Sequence, residues 1–114
     1  MKFALMIYQP YPFDPKALSE EEHKEVAAGY AAVNATAGVT SGPALGFASK
    51  ATTVRVQDGE TATAPGPYAG EAHAVGGFMV VEAESLDDAV AIAARIPAAR
   101  LGGAVEVRPC EVYW

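Results

Sequence analysis

The chain has 114 residues, of which 51% are hydrophobic and 19% charged, enough to build one globular domain with a core of its own over residues 1–114. A net charge of −6 argues against direct binding to nucleic acid, which draws its affinity from clustered Lys and Arg, and no apolar run reaches the roughly twenty residues that cross a bilayer. A single cysteine, Cys110, and two histidines leave no internal disulfide and no recognisable zinc spacing, so no metal or cofactor is expected and a reducing, cytoplasmic setting is the simplest fit.

From Phe3 to Tyr8 both alternating faces are apolar: Phe3, Leu5 and Ile7 on one, Ala4, Met6 and Tyr8 on the other. The run stops at Gln9-Pro10 with no small-residue cleavage site, so it predicts a central strand covered on both sides and not a secretion signal. After the Pro-rich loop Gln9 to Lys16, Ser19-Glu20-Glu21-Glu22 spells a capping box with acids at the positive end of the helix dipole. The helix it starts carries Val26, Tyr30, Val33 and Ala37 as a core stripe, with Gly38 as its C-terminal cap.

Val39 to Phe47 is broken by Gly42-Pro43 and Gly46 and predicts a short or edge strand. Thr52 to Gln57 alternates, Val54 and Val56 facing one way and Thr53, Arg55 and Gln57 the other. Asp58-Gly59 then predicts a hairpin turn into Glu60 to Thr63, with one half of the hairpin facing water. A Pro/Gly loop, Ala64 to Gly70, precedes a second doubly apolar strand, Val75 to Val81, whose Gly76-Gly77 invites a close approach to the backbone.

Ser85 caps a helix running to Ile96 with Leu86, Ala89, Val90 and Ala93 toward the core, and Pro97 stops it. Beyond Gly102-Gly103 the last strand places Val105 and Val107 on one face and then shifts phase to Cys110, Val112 and Trp114, which predicts a bulge or kink near Pro109.

The order strand, helix, strand, hairpin, strand, helix, strand predicts an α+β, ferredoxin-like split βαβ fold with an extra hairpin and both helices on one sheet face. The other face would then expose Ala4, Met6, Tyr8 and Phe78 or Met79, an apolar patch that a homodimer would cover.

Glu71 and His73, two residues apart, would point to the same side of an extended segment, as a carboxylate–imidazole acid/base pair requires; the alternative is two polar residues on an exposed strand entrance. Tyr8, Arg55 and Tyr68, with the rigid Gly66-Pro67 turn, form a candidate cleft for an anionic or aromatic small molecule, because Arg offers a planar fork and tyrosine an apolar body with a polar tip. The alternative places Arg55 against a cross-strand glutamate and the tyrosines in a dimer interface. His23 beside three glutamates reads as a solvated helix residue, and Cys110 as a small packed hydrophobe. The glycine pairs match no phosphate-binding fingerprint.

Met1 to Tyr8, Thr53-Val54-Arg55-Val56 with Asp58-Gly59, Gly66-Pro67-Tyr68-Ala69, Gly76-Gly77-Phe78, Ala93 to Arg100 and Val105-Glu106-Val107-Arg108-Pro109, in that order, resemble the YCII-related family in its DGPF-domain branch. The resemblance implies a dimeric α/β-barrel of ferredoxin-like units and, for much of the family, no established activity. It also implies two functional leads: a His–Asp pair in a cleft of the wider family's relatives, and a link to extracytoplasmic-function sigma factors, beside which DGPF-like proteins are often encoded. Where the branch has Asp-Gly-Pro-Phe this chain has Pro65-Gly66-Pro67-Tyr68, so a role for that Asp does not transfer. Two readings stay open: a small-molecule-binding dimer with an acid/base activity at Glu71 and His73, and a non-catalytic dimeric module acting through protein partners.

Overall fold

The computed structural model describes residues 1–70 and 72–113. Strand β1 (Lys2–Pro10) and strand β5 (His73–Glu82) lie at the centre of a four-stranded antiparallel sheet, flanked by β2 (Val39–Ser41) and β6 (Ala104–Pro109) in the order β2-β5-β1-β6. Helix α1 (Glu20–Asn34) connects β1 to the edge strand β2, and α2 (Leu86–Ala93) connects β5 to β6. This α+β arrangement is compatible with the ferredoxin-like split unit that the element order predicts. No helix among the described residues is long and apolar enough to cross a membrane.

The alternation in β1 decides which side is core. Phe3, Leu5 and Ile7 are buried against Val33 of α1, Ala89 and Ala93 of α2, and Ile96, with Met79 and Val81 beside them from β5. Complete burial of one such large side chain contributes about 1.5–3 kcal/mol. Cross-strand pairing carries Ala4, Met6 and Phe78 to the opposite face, where Met6 faces Phe78 and Ala4 faces Val80; Met79 belongs to the core. No helix covers this second face, and Phe78 is 41% exposed on it.

Several local expectations change in three dimensions. Helix α1 forms its capping box, Ser19 Oγ accepting from Glu22 N and Glu22 Oε1 accepting from Ser19 N, but it ends at Asn34, before Ala37. Its last turn is satisfied from outside: Thr36 Oγ1 donates to the Ala32 carbonyl, and Arg95 Nη2 donates to Thr36 Oγ1. Gly38 therefore makes the turn into β2, at φ +86°, where a Cβ would lie 2.6 Å from the Glu82 carbonyl oxygen.

Helix α2 ends at Ala93, short of Ile96, and buries Ala89 and Ala93, leaving Leu86 and Val90 on its flank, 51% and 48% exposed, not in the core. The register of β6 on β1 is continuous to Pro109, so no bulge accounts for the phase change. The chain simply leaves the sheet there, with Cys110 N donating to the Lys2 carbonyl and the Cys110 thiol exposed, not packed. Trp114 lies outside the described residues. A register shift occurs elsewhere, between Ile7 and Tyr8 of β1, opposite Gly76.

The hairpin of β3 (Thr52–Gln57) and β4 (Glu60–Pro65) forms as predicted, Asp58 and Gly59 both at positive φ in its turn. It is a separate two-stranded sheet, and water reaches both of its faces, not one: Val54 is 59% and Val56 67% exposed.

Candidate functional site

Beside the register shift in β1, at one end of the sheet, the described residues enclose a concavity. Gln9 reaches over Gly76, its Cδ and Oε1 lying 2.8 Å from where a Cβ would stand, so any larger residue there must displace the Gln9 side chain. At Gly77 a Cβ would meet only Ile7 Cδ1, at 3.7 Å, an ordinary van der Waals contact, so a side chain there would extend into the cavity without a clash at its base. The cavity, of about 540 Å³, is floored by Ile7, Gln9 and Ala74 to Gly77. Tyr30 and Asn34 of α1 wall one side, and the segments Tyr11 to Phe13 and Ser41 to Ser49 wall the rest.

Local chemistry holds those segments in place. Tyr11 N donates to the Ala72 carbonyl, His23 Nε2 donates to the Pro15 carbonyl and ties the loop to α1, and Ser41 Oγ donates to Asn34 Oδ1. The rings of Phe13 and Phe47 meet with centroids 6.2 Å apart, joining the two loops over the cavity. Gly42 lies where any Cβ would strike the Phe78 ring, at 2.5 Å, which threads the second loop close past the sheet edge.

Among the described residues no Asp, Glu, Lys, Arg or His lines this cavity. Its polar groups are the neutral side chains of Gln9, Tyr11, Tyr30, Asn34, Ser41 and Ser49. Burial pushes the Tyr30 phenol above the ordinary tyrosine range, and a hydrogen bond with Gln9 partly offsets the shift. Tyr30 is therefore a neutral hydroxyl at physiological pH, able to donate and accept. Such a site binds and orients uncharged groups by shape and hydrogen bonding.

The residues expected from sequence to form a site lie elsewhere. Arg55, Pro67 and Tyr68 do come together, in a shallower cleft of about 220 Å³ on the hairpin, with the Arg55 guanidinium 5.6 Å from the Tyr68 ring centroid. That contact is worth roughly 0.5–1 kcal/mol at an exposed position. Arg55 stands across from Ala62, so no cross-strand glutamate pairs with it. Gly66, at φ +92°, sets the turn: its N donates to the Ala51 carbonyl and its carbonyl accepts from Thr53 Oγ1.

Tyr8 is half-buried on the uncovered sheet face, across from Val75 and Ala104, and lines neither cavity. His73 opens β5 across from Pro10, and its Nε2 donates to the Gly102 carbonyl at 2.9 Å. Glu71 lies outside the described residues. The cavity residues that sequence reasoning did not assign to a site are chiefly Gln9, Tyr30, Phe13 and Phe47. The available signal was the Gly76-Gly77 pair, which announced a close approach without saying to what.

Comparison with known proteins adds one match and one absence. The model of the YCII-related domain matches residues 1–112, nearly the whole chain. No curated protein matches.

Proposed function

The chain belongs to the YCII-related domain family, and from that premise we propose that it is a small-molecule-binding protein of the cytoplasm that works as a homodimer. The observation that carries the reading is the 540 Å³ cavity at the end of β1, within the size range of sites for small organic molecules. Within the family we place the chain in the DGPF-domain branch, with Pro65 where the branch has Asp. The second copy covers the sheet face of Ala4, Met6, Tyr8, Phe78 and Val80, and the pair closes as a dimeric α/β-barrel.

An acid/base activity at His73 and Glu71 is the enzymatic form of this reading. It is the less favoured form, because His73 spends one ring nitrogen on the Gly102 carbonyl and, among the described residues, the cavity is lined by no ionisable group other than tyrosine. The Arg55–Tyr68 cleft is retained as a secondary binding surface, since a guanidinium stacked on a ring keeps its outer edge free for an anion.

A thermal-shift screen of metabolites, run in parallel on the wild type and on Gly77→Leu, tests the proposal. A ligand of the cavity raises the melting temperature of the wild type by mass action and not that of the variant, whose added side chain fills the floor. A screen without any Gly77-dependent stabilisation would sink the reading.

The alternative, a non-catalytic dimer acting through protein partners and linked to extracytoplasmic-function sigma factors, draws on a different observation. The valine face of the hairpin and the Leu86–Val90 flank of α2 are exposed apolar surfaces apart from the cavity. Under it, Val54→Lys with Val56→Lys abolishes partner co-purification while cavity ligands bind unchanged.

A further inference from the structure

The walls of the cavity say more about its occupant than its size does. Among the described residues every side chain that lines it is apolar or neutral, and Lys50, the cation that follows the second loop, is exposed and is not part of the wall. A carboxylate or phosphate entering it would lose hydration without gaining a countercharge, a cost that ordinarily exceeds what shape complementarity returns. The chain's net charge of −6 adds repulsion at longer range.

Two further features narrow the class. At Gly77 the floor carries no side chain, the planar amide of Gln9 covers Gly76 beside it, and Phe13 and Phe47 set tilted rings over the cavity, an arrangement that accepts an aromatic body. Against that apolar frame, Tyr30 and Gln9 both line the cavity and are half-buried, one bringing a hydroxyl and the other an amide. Together they can donate to and accept from a single polar group on the occupant.

We propose that the cavity selects uncharged, planar aromatic molecules bearing one hydrogen-bonding group, read by Tyr30 and Gln9, and discriminates against their anionic analogues. The inference rests on the small-molecule reading above and assigns its ligand class. It requires no reaction, and Tyr30 and Gln9 act in it as binding residues.

The matched probes N-phenyl-1-naphthylamine and 8-anilinonaphthalene-1-sulfonate share an aromatic body and a bridging N–H and differ by one sulfonate. Each is titrated into the full chain and followed by its own fluorescence, in the wild type, Gly77→Leu and Tyr30→Phe. Ala44→Trp, on the exposed second loop, serves as a second blocking variant should Gly77→Leu fold poorly. The neutral probe is expected to saturate at one per chain and to bind at least tenfold more tightly than the sulfonate. Its binding is lost in the blocking variant and weakened about fivefold in Tyr30→Phe, the value of one hydrogen bond near 1 kcal/mol.

Blockable binding of the sulfonate as tight as that of the neutral probe would overturn the charge selection and leave the small-molecule reading standing. Binding of either probe that persists in both blocking variants, or no binding at all, overturns the assignment to this cavity. An unchanged affinity in Tyr30→Phe removes the hydrogen-bonding part of the proposal.

Discussion

A methyl group added at Gly76 would lie 2.8 Å from Cδ and Oε1 of Gln9, whereas one added at Gly77 would meet only Ile7 Cδ1 at 3.7 Å. Neighbouring identical residues thus answer to different constraints: a Cβ at the first would clash, and one at the second would make an ordinary van der Waals contact. Gly76→Ala is expected to cost about 1 kcal/mol and to push Gln9 away from Tyr30, because overpacking is relieved only by moving the side chain it strikes. Gly77→Ala should be neutral or slightly stabilising, since it removes chain entropy from the unfolded state without a clash. Urea denaturation of the two variants reads the difference directly. At Gly103 the constraint is harsher: a Cβ would stand 2.1 Å from the Tyr8 carbonyl oxygen, which is backbone and has nowhere to go. Gly103→Ala should destabilise by about 3 kcal/mol or more, measured in the same way.

At the scale of elements, α1 depends on its start more than its packing. Val33 is its one fully buried residue among those described, while Ser19 and Glu22 satisfy two of its orphan amides. Ser19→Ala should cost about 1 kcal/mol. The same box holds the Glu22 carboxyl below the ordinary glutamate value, first through the hydrogen bond from the Ser19 backbone amide and then through the Ser19 hydroxyl. A depressed folded-state pKa means that this contribution is fully present above the unfolded value and is lost as pH falls through the folded one. NMR titration of the Glu22 carboxyl should give a midpoint below that of a free glutamate, moving upward in Ser19→Ala. The hairpin is the opposite kind of element: its Asp58-Gly59 turn is well specified, yet neither of its faces packs on the domain. A lone two-stranded hairpin is marginal in water, so its amides should exchange with solvent far faster than those of β1 and β5.

The molecule as a whole is flat and extended, with principal extents of 45 × 41 × 20 Å and a radius of gyration of 15.7 Å. A compact chain of this length would have a radius of about 13 Å. The excess is consistent with the projecting hairpin and with the single helical layer, which leaves the Met6 and Phe78 face of the sheet uncovered. If a second copy covers that face, Met6→Glu with Phe78→Glu should convert the dimer to a folded monomer, seen as a halved mass in sedimentation with far-UV circular dichroism unchanged. A wild-type monomer at micromolar concentration would refute the dimer.

Most of the element order was legible in the chain, because strand alternation in Phe3 to Ile7, the capping box at Ser19 and the Asp-Gly turn are local signals set by backbone geometry and short-range hydrogen bonds. The family resemblance was legible too, since it rests on the order of such segments. The ends of both helices were not: α1 stops at Asn34 where Thr36 and Arg95, distant in sequence from each other, serve its last turn. The exposure of Leu86 and Val90 and of both faces of the hairpin likewise depends on which surface each element meets, and no local pattern contains that. The predicted residues Arg55, Pro67 and Tyr68 did converge, because one hairpin and its adjoining loop carry them all. The larger cavity joins Gln9, Tyr30, Phe47 and Gly77 from four separate parts of the chain, and only the tertiary fold, which packs α1 and two loops against one end of the sheet, brings them to one place.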